Sequence, residues 1–540
     1  MRISLAQINS WLGDFAGNRE KILRAVDKAV DQGCDLVVFP EAALFGYHPC
    51  DLLERPKVVE AQLKELERIH KAIPKGVGVL VGAIGLNPKR EGKSYHNSAV
   101  LLERGKTQRW FNKQLLPTYD VFDEGRHIEP GRIKDNVFRF RGKKILVTVC
   151  EDIWAWPVKH GPRFSSYMKN PLKDVVRPVD LVINLSASPY GENKVKQRHR
   201  VVTLTAKHFH CPMIYVNMVG GQDELVFDGG SFAISGAGKS LLQCAHFKED
   251  MAVLDLRNLG KGSALESRKT IADFRSALVL GLRDFVHKNG FAKVHLGLSG
   301  GIDSAVVACL AAEALGPENV LGIGMPGPFS APESLRLAKE LAGNLKIQWR
   351  EQEIKPIYES LVRGLDQSLG KSEFGVMHEN IQARIRALIL MAVANKEGAL
   401  LMATSNKSEL ATGYSTLYGD MCGAVMPIGD LLKREVYALA ESYNQGRELI
   451  PKVIIARPPS AELRPNQRDD DSLPAYPVLD PAVEKIVEGY RPAKGEVEQR
   501  VLGMLMKSEF KRWQAPPILK VSEHAFGRGR RFPLAHRAKF

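Results

Sequence analysis

The sequence contains no long hydrophobic run, and even a stretch as apolar as Ala387 to Ala394, which no other exceeds in length, covers only eight residues. Because a membrane-spanning helix needs about 20 apolar residues, no segment is a candidate for one. The N-terminal residues Met1 to Ile8 have the pattern of a β-strand and lack a signal-peptide cleavage site. We therefore expect a cytoplasmic protein with no membrane partner.

Paired cysteines are also absent from the sequence. The seven cysteines, at positions 34, 50, 150, 211, 244, 309 and 422, include no Cys-x-x-Cys motif. An odd number without regular spacing argues against structural zinc and against a disulfide framework. Most of these cysteines should be small buried apolar side chains, whereas Cys150 lies in a motif of its own.

Positive charge is in excess, but the motifs of nucleic-acid-binding proteins are missing. The formal net charge is +15, and the basic residues are spread along the chain except for a run from Arg528 to Lys539. Such a charge attracts anionic partners. Nucleotide substrates and an oligomer surface explain it as well as a nucleic acid does, so we expect no nucleic acid partner and a homo-oligomer.

The length of 540 residues exceeds what one hydrophobic core supports and predicts about two to four domains. The first 260 residues alternate short β-branched runs with amphipathic helices. The Gly-rich stretch Leu259 to Ser263 is the best linker candidate, which places the predicted domains at residues 1–260 and 261–540. Ser235 to Ser240 lies between two predicted strands and should form a hairpin turn.

The second half has the pattern of repeated strand–helix–strand units. A helix is predicted from about Ser267 to Lys288, and Arg457 to Asp480, with five prolines, is predicted to be a long mobile loop. The other predicted elements are strand 293–298, helix 303–315, strand 320–325, helix 331–343, strand 346–349, helix 379–396 and strand 399–403. This alternation indicates an α/β fold with a doubly wound parallel sheet, whose ligands bind at the carboxyl ends of the strands.

The most informative segment of the chain is Gly297 to Ser304, with the sequence Gly-Leu-Ser-Gly-Gly-Ile-Asp-Ser. It follows a predicted strand and precedes a predicted helix, so backbone N–H groups and the positive helix end can face phosphate oxygens. The Walker lysine is absent. Ser-Gly-Gly-x-Asp-Ser instead resembles the pyrophosphate loop of enzymes that cleave ATP to AMP and pyrophosphate, although a glycine turn of any α/β protein is the alternative.

Three polar residues stand at the ends of predicted strands in the first half. Glu41 follows Val37 to Pro40, Lys113 follows Trp110 to Asn112, and Cys150 follows Ile145 to Val149. A carboxylate, an ammonium and a thiol form a set that can hydrolyse amides. Glu41 can accept the thiol proton, Cys150 can attack a carboxamide carbon, and Lys113 can stabilise the oxyanion.

These residues and their surroundings resemble the nitrilase superfamily, whose catalytic triad is Glu–Lys–Cys. The matching motifs are Phe39-Pro40-Glu41, Lys113 to Pro117 with Phe122-Asp123-Glu124, and Cys150 to Trp154. The resemblance implies an α–β–β–α sandwich over residues 1 to about 260. It also implies that Glu124 orients Lys113 or Cys150 and that Tyr119, Ser188 and Lys194 bind glutamine, unless these side chains are ordinary surface residues.

Candidate metal and phosphate ligands lie beyond the pyrophosphate loop. Thr404 to Glu409 follows the predicted strand 399–403, so it should share a sheet edge with Asp303. Asp303 and Glu409 are plausible Mg²⁺ carboxylates, although Asp303 can instead be a helix cap. Asn380 and Arg384 lie four residues apart on one helix face, where Arg384 can pair with phosphate or remain solvated.

The second half resembles NAD⁺ synthetases, and the whole chain resembles the glutamine-dependent NAD⁺ synthetase family. The matching segments are Ser299–Ser304, Glu379–Arg386, Thr404–Glu409, Gly413–Asp420, Pro458–Pro465 and Phe510–Arg512. The resemblance implies a Rossmann-like domain of the adenine nucleotide alpha hydrolase type. The implied ATP-binding residues are Gly297, Leu298, Ser299, Gly300, Gly301, Ile302, Asp303, Ser304, Thr404 and Lys433. The residues implied to contact deamido-NAD⁺ or its metal are Asn380, Arg384, Glu409 and Lys511.

The reaction implied by this family is the last step of NAD⁺ biosynthesis. Deamido-NAD⁺, ATP and L-glutamine give NAD⁺, AMP, pyrophosphate and glutamate, with Mg²⁺ accompanying ATP. Other amidotransferases with a pyrophosphate loop fit less well. An asparagine synthetase needs a cysteine near the N-terminus where Arg2 stands, and a GMP synthetase needs glycines that Cys150 lacks. A tRNA-thiolating enzyme needs sulfur-carrying cysteines that the sequence does not offer.

Overall fold

The structure is a computed structural model that describes residues 1–89, 91–157, 167–260, 271–536 and 538. The described residues form two compact units, one from residues 1–222 and 226–260 and one from residues 223–225 and 271–538. The predicted boundary after residue 260 and most of the predicted linker fall on residues 261–270, outside the described residues. The domain limits therefore stay a prediction.

The first 260 residues form mainly two six-stranded sheets. Their strands are β1 (Arg2–Gln7), β2 (Leu36–Val38), β3 (Gly78–Leu86), β4 (Tyr95–Glu103), β5 (Arg109–Asn112), β6 (Val137–Phe140), β7 (Lys143–Val149), β8 (Leu181–Ser186), β9 (Met213–Asn217), β10 (Val219–Gln222), β11 (Leu225–Asp228), β12 (Phe232–Ile234), β13 (Ser240–Gln243) and β14 (Asp250–Asp255). The sheet orders are β14-β1-β2-β3-β4-β5 and β13-β12-β9-β8-β7-β6, and β10 pairs with β11. The helices are α1 (Phe15–Asp31), α2 (Pro56–Ala72) and α3 (Lys194–Phe209).

A hydrophobic core lies between the two sheets and joins residues such as Leu5 and Leu80 of one to Ile145 and Ile183 of the other. A second core lies between the first sheet and the helices α1 and α2, and a third lies between the second sheet and α3. The apolar residues of α1 recur with helical spacing, and the Asp14 side chain caps its N-terminus through the N–H of Gly17. This arrangement confirms the predicted α–β–β–α sandwich.

The second unit is built on one parallel sheet of four strands. The strands are β15 (Val294–Gly297), β16 (Val320–Gly324), β17 (Gln348–Glu351) and β18 (Leu400–Leu401), in the order β17-β16-β15-β18. The helices are α4 (Ile271–Lys288), α5 (Ile302–Leu315), α6 (Pro332–Leu345), α7 (Lys355–Leu369), α8 (Val376–Glu397), α9 (Lys407–Thr412), α10 (Lys433–Tyr443), α11 (Lys452–Ala456), α12 (Tyr476–Val483), α13 (Glu496–Lys507) and α14 (Glu509–Arg512). The strand order reverses between β15 and β18, so the loops that follow these two strands flank a crevice.

Most predicted elements are confirmed, including the parallel sheet and the hairpin turn between β12 and β13. The strand predicted at 399–403 is shorter, because Met402 bridges Val425 outside the sheet. Helix α7 was not predicted. The predicted loop from Arg457 to Asp480 is confirmed up to residue 475, apart from the 3-10 turn Asp469–Asp471, and is wrong for its last five residues, which belong to α12. Its predicted mobility stays a prediction, and side-chain hydrogen bonds hold its first part.

None of the helices in the described part of the chain combines the length and the apolar character that crossing a membrane requires.

Candidate active sites

Cys150 lies directly after β7, at the first residue of the 3-10 helix Cys150–Ile153. Its φ of 42° is left-handed, a conformation that costs energy for a residue with a side chain and is common at functional turns. The Asp152 carboxylate accepts hydrogen bonds from the N–H groups of Val149, Gln114 and Leu115, each at 2.9 Å. One buried carboxylate therefore joins the cysteine turn to the segment that follows Lys113.

Lys113 follows β5 and is completely buried between two carboxylates. Its Nζ lies 2.8 Å from Glu41 Oε1 and 2.7 Å from Glu124 Oε1. Two negative charges thus surround one positive charge in a place without water access. The structure brings Glu41, Lys113 and Glu124 together, and it places Glu124 on Lys113 rather than on the surface.

Three further groups hold these carboxylates, and the sequence motifs did not reveal them. Asn97 Nδ2 donates to Glu41 Oε1 at 2.8 Å, and the Ala187 N–H donates to Glu41 Oε2 at 2.8 Å. The Tyr47 hydroxyl donates to Glu124 Oε1 at 2.8 Å. Both oxygens of Glu41 are therefore oriented, which fixes the carboxylate for proton transfer.

The electrostatics of this cluster suit a neutral thiol with a base beside it. Burial and the charge of Glu41 raise the pKa of the Cys150 thiol well above its usual value. Burial also raises the pKa of Glu41, although Lys113 opposes this effect. Burial alone would lower the pKa of Lys113, but the charges of Glu124 and Glu41 outweigh it and raise that pKa well above its usual value. Lys113 is therefore a permanent cation.

Two of the predicted glutamine-binding residues surround a buried acid, Glu151. The Tyr119 hydroxyl donates to Glu151 Oε2 at 3.0 Å, and the Tyr167 hydroxyl donates to Oε1 at 2.9 Å. Lys194 Nζ lies 4.1 Å from the centre of the Trp154 ring. Burial lowers the pKa of Lys194, whereas the charge of Glu151 raises it. An acid and an ammonium thus lie beside the nucleophile.

The third predicted residue, Ser188, lies just beyond β8 and is buried. Its hydroxyl oxygen accepts a hydrogen bond from Arg198 Nε at 3.1 Å, and its N–H donates to Asn217 Oδ1 at 2.9 Å. Arg198 on α3 belongs to no motif that the sequence offered. Ser188 is therefore a fixed interior residue rather than a surface serine.

The predicted pyrophosphate loop runs from β15 into α5. Gly300 has a φ of 79°, and a Cβ atom on it would lie 2.2 Å from the Ser334 carbonyl oxygen, so only glycine fits there. The Ser304 hydroxyl accepts from the Ser299 N–H at 3.2 Å and lies 3.0 Å from the Ser299 hydroxyl. The loop is thereby closed on itself, with α5 starting at Ile302.

The predicted metal carboxylates, Asp303 and Glu409, share one buried lysine. Lys433 Nζ lies 2.6 Å from Asp303 Oδ2 and 3.3 Å from Glu409 Oε1. Asn406 donates to Asp303 Oδ1 at 2.9 Å and caps α9, on which Glu409 lies. Burial and the Asp303 charge raise the pKa of Glu409 to about 8. Two carboxylates thus share one cation, and their hard oxygen donors suit Mg²⁺.

A cavity of about 320 Å³ lies at this edge of the sheet. The predicted ATP-binding residues all line it, namely Gly297, Leu298, Ser299, Gly300, Gly301, Ile302, Asp303, Ser304, Thr404 and Lys433. Arg386 and Arg457, which the sequence did not single out, also line it. Its lining combines polar side chains such as Asp303 and Lys433 with the apolar side chains of Ile323, Met325 and Leu390, a mixture that suits a ligand with both phosphate and ring groups.

The predicted deamido-NAD⁺ residues divide into two groups. Glu409 lines the cavity, whereas Asn380, Arg384 and Lys511 contact the loop after α9. Asn380 Oδ1 accepts from the Thr416 hydroxyl at 2.7 Å, and Arg384 Nε donates to the Leu417 carbonyl at 3.2 Å. Lys511 Nζ donates to carbonyls of the same loop at 2.8 and 2.6 Å. The structure brings these three residues to one loop beside the cavity.

The segment from Arg457 to Asp471 contributes residues to the lining of the cavity and is tied to neighbouring helices. Glu462 accepts from the Ser334 hydroxyl at 2.6 Å and from the Ala331 N–H at 3.1 Å, both at the start of α6. Gln382 of α8 donates to the Leu463 carbonyl at 2.9 Å. Asp469 accepts from the hydroxyl of Tyr476 at 2.9 Å.

Two family models match the two halves of the chain. The carbon-nitrogen hydrolase family matches residues 2–260, and the NAD synthase family matches residues 274–515. These ranges cover the Glu41–Lys113–Cys150 cluster and the pyrophosphate loop, respectively.

Curated relatives match over the full length. The chain is 45% identical to the glutamine-dependent NAD(+) synthetase of Synechocystis sp., covering 99% of this chain and 98% of the relative. It is 39% identical to that of Thermotoga maritima, covering 100% and 99%.

Solved structures agree with these matches. A glutamine-dependent NAD+ synthetase from Acinetobacter baumannii in complex with adenosine diphosphate is 34% identical, with a TM-score of 0.75 and coverage of 99% and 98%. One from Cytophaga hutchinsonii, 20% identical with a TM-score of 0.82, supports the fold. The chain belongs to the glutamine-dependent NAD(+) synthetase family.

Proposed function

We propose that the protein makes NAD⁺ from deamido-NAD⁺, ATP and glutamine and releases AMP, pyrophosphate and glutamate. The buried Glu41–Lys113–Glu124 cluster beside Cys150 carries the glutamine dependence, because an enzyme that used only free ammonia would not need it. The cavity at the pyrophosphate loop supports the use of ATP. Family membership supports the pairing of these two reactions in one chain.

Glutamine hydrolysis begins with proton transfer from the Cys150 thiol to Glu41 as the sulfur attacks the carboxamide carbon. Lys113 stabilises the negative oxygen that forms. When the carbon–nitrogen bond breaks, Glu41 returns the proton to the departing ammonia and leaves a thioester on Cys150. Water then attacks the thioester, Glu41 accepts its proton, and glutamate is released with the thiol restored.

Recognition of glutamine uses charges of both signs. The Lys194 ammonium and the Ser188 hydroxyl bind the α-carboxylate, and the buried Glu151 carboxylate faces the α-ammonium. Tyr119 and Tyr167 support this role because both donate to Glu151 and hold it in place. A substrate that lacks the α-carboxylate and the α-ammonium offers no partner to Lys194 and Glu151. The site therefore favours binding of an amino acid over binding of a simple amide.

The second reaction activates a carboxylate, because a carboxylate by itself is a poor electrophile. The nicotinate carboxylate of deamido-NAD⁺ attacks the α-phosphorus of ATP and displaces pyrophosphate, which gives an adenylate. Ammonia then attacks the adenylate carbon, and AMP leaves. The N–H groups of the pyrophosphate loop and Lys433 hold the phosphates. Asn380, Arg384 and Lys511 hold the loop after α9 beside deamido-NAD⁺.

Mg²⁺ fits the oxygen donors of Asp303 and Glu409. When bound, it would neutralise phosphate charge and favour departure of pyrophosphate. With both carboxylates on the ion, Lys433 would be free to turn from them to a phosphate oxygen. The closeness of Lys433 to both carboxylates supports this exchange of partners.

The protein also assembles as a homo-oligomer. Support comes from apolar side chains left exposed on neighbouring helices α7 and α8, such as Leu369 at 73% and Leu388 at 68% exposure. Size-exclusion chromatography with light scattering measures the assembly, and a monomer at micromolar concentration would contradict it. A cytoplasmic location stays a prediction.

Isotope transfer tests the whole reaction. The protein is incubated with deamido-NAD⁺, ATP and glutamine carrying ¹⁵N in its amide, and the products are identified by mass spectrometry. Labelled NAD⁺ with equal amounts of AMP and pyrophosphate is expected. Unlabelled NAD⁺, or ADP in place of AMP, contradicts the proposal.

A further inference from the structure

Helix α3 carries a second buried cation one turn after Lys194. The Arg198 side chain is 3% exposed. Its Nη2 donates to the carbonyls of Ser188 and Pro189 at 2.9 and 2.7 Å, and its Nη1 lies 2.7 Å from Asp228 Oδ1. A guanidinium with this many partners in fixed directions immobilises the backbone that it contacts. Arg198 therefore holds the turn that carries Ser188.

The contact to the Ser188 hydroxyl also sets the direction of its proton. A guanidinium can only donate, so the Ser188 oxygen accepts from Arg198 and its own hydrogen points elsewhere. The Ser188 N–H is already bound to Asn217, and the Ser188 carbonyl is bound to Arg198 and Asn217. The hydroxyl hydrogen is therefore the group of Ser188 that a bound carboxylate can accept.

We propose that Arg198 is a positioning residue for glutamine, which makes the Ser188 hydroxyl a hydrogen-bond donor to the α-carboxylate that Lys194 attracts. This inference rests on the proposed function, because it takes glutamine as the substrate. The charge of Arg198 is balanced by Asp228, so Arg198 acts through hydrogen-bond geometry rather than by attracting the substrate. It contributes to binding and not to the chemistry at Cys150.

Arg198→Lys tests this role, because an ammonium cannot reach Ser188, Pro189 and Asp228 at once. The KM for glutamine should rise about tenfold to a hundredfold, while kcat changes by less than about threefold. Arg200→Lys is the matched control, since Arg200 lies on the same helix and is exposed. This control should leave both constants unchanged.

A second readout is independent of turnover. Cys150 is alkylated with iodoacetamide at increasing glutamine concentrations, and the modified peptide is quantified by mass spectrometry. The glutamine concentration that halves the alkylation rate should rise in Arg198→Lys by the same factor as KM. The rate without glutamine should equal that of the wild type, because the reagent lacks an α-carboxylate. A general disturbance of the fold would change this second rate.

A double-mutant cycle shows whether Arg198 acts through Ser188. Ser188→Ala should raise the KM, and adding Arg198→Lys to it should change the KM by less than about threefold further. If Arg198→Lys does not fold, the double variant Arg198→Gln with Asp228→Asn is used in its place in every measurement. This double variant removes both buried charges together, so neither charge is left unpaired.

The outcomes separate this inference from the proposed function. An unchanged KM and unchanged protection in the Arg198 variant overturn the inference, as do fully additive effects in the cycle. In those cases glutamine hydrolysis by the wild type still upholds the proposed function. A wild-type protein that releases no glutamate from glutamine overturns the proposed function itself.

Discussion

Replacing Glu41 by glutamine should stop glutamine hydrolysis while the protein stays folded. The substitution keeps the size of the side chain but removes the group that accepts the Cys150 proton. Burial keeps the thiol pKa well above its usual value, so the thiol does not ionise unaided. A general base contributes about 10²- to 10⁴-fold to the rate, and glutamate release should therefore fall at least about a hundredfold.

The structure also sets the expected cost in stability. Glu41 accepts from Lys113 and Asn97 on one oxygen and from the Ala187 N–H on the other. A glutamine has one carbonyl oxygen, so either the Ala187 N–H or the pair Lys113 and Asn97 loses its acceptor. The expected cost is about 1–3 kcal/mol in the free energy of unfolding. Lys113 keeps Glu124 at 2.7 Å, so no buried charge is left unpaired.

Lys113→Met is the contrasting variant. It leaves Glu41 and Glu124 buried without a cation, and the free energy of unfolding should fall by about 3–5 kcal/mol. Denaturant titration measures both costs, and ammonia-dependent NAD⁺ synthesis serves as the internal control. Glu41 is not the base if Glu41→Gln retains more than about a tenth of the hydrolysis rate. Equal destabilisation by both variants would contradict the assigned charge pairing.

Four other measurements follow from the two sites. Cys150→Ala should release no glutamate yet still make NAD⁺ from ammonium salt, and loss of both activities in a folded variant would contradict two separate reactions. Asp303→Asn should abolish NAD⁺ synthesis from glutamine and from ammonia while glutamine hydrolysis survives at least in part; normal ammonia-dependent synthesis would contradict its metal role. If residues 457–480 close over bound nucleotide, their limited proteolysis should slow when ATP and deamido-NAD⁺ are added and should speed up in Glu462→Gln. Equal cleavage rates with and without the nucleotides would count against closure. Because burial raises the pKa of Glu41, the acid limb in the pH dependence of kcat/KM for glutamine should lie above the usual glutamate pKa of about 4.3, and an acid limb below about 4.3 would refute the raised pKa. The same shift affects stability, because the contribution of protonated Glu41 to the free energy of unfolding is full below about pH 4.3 and is lost as pH rises through the pKa of Glu41 in the folded protein.

The sequence predicted the parts of each site that lie at the ends of elements. Glu41 and Lys113 follow strands of the first sheet and Cys150 follows a strand of the second, and polar residues at strand ends are typical of functional sites, so motif and position together indicated a site. Their roles stay predictions until the variants are measured. The four-stranded parallel sheet was predictable for a similar reason, because its strands alternate with strongly periodic helices.

The supporting groups could not be predicted, because they depend on which strands are neighbours. Asn97 lies inside β4 and reaches Glu41 only through the register of β3 with β4 and the bend after β2. The Ala187 N–H is a backbone group, so the residue type at this position does not indicate the contact. Helix α7 was missed partly because Gly364, in its middle, lowers helix propensity by about 1 kcal/mol.

Gly300 has a consequence for inhibition. Its φ of 79° and the 2.2 Å that would separate an added Cβ atom from the Ser334 carbonyl oxygen exclude every other residue type without a shift of backbone. A competitive inhibitor anchored on the backbone of this loop would bind atoms that every residue type shares, except for the N–H that proline lacks. Resistance would then have to arise at the cavity wall, at side chains such as Met325 or Leu390, where the chain can vary without losing the loop.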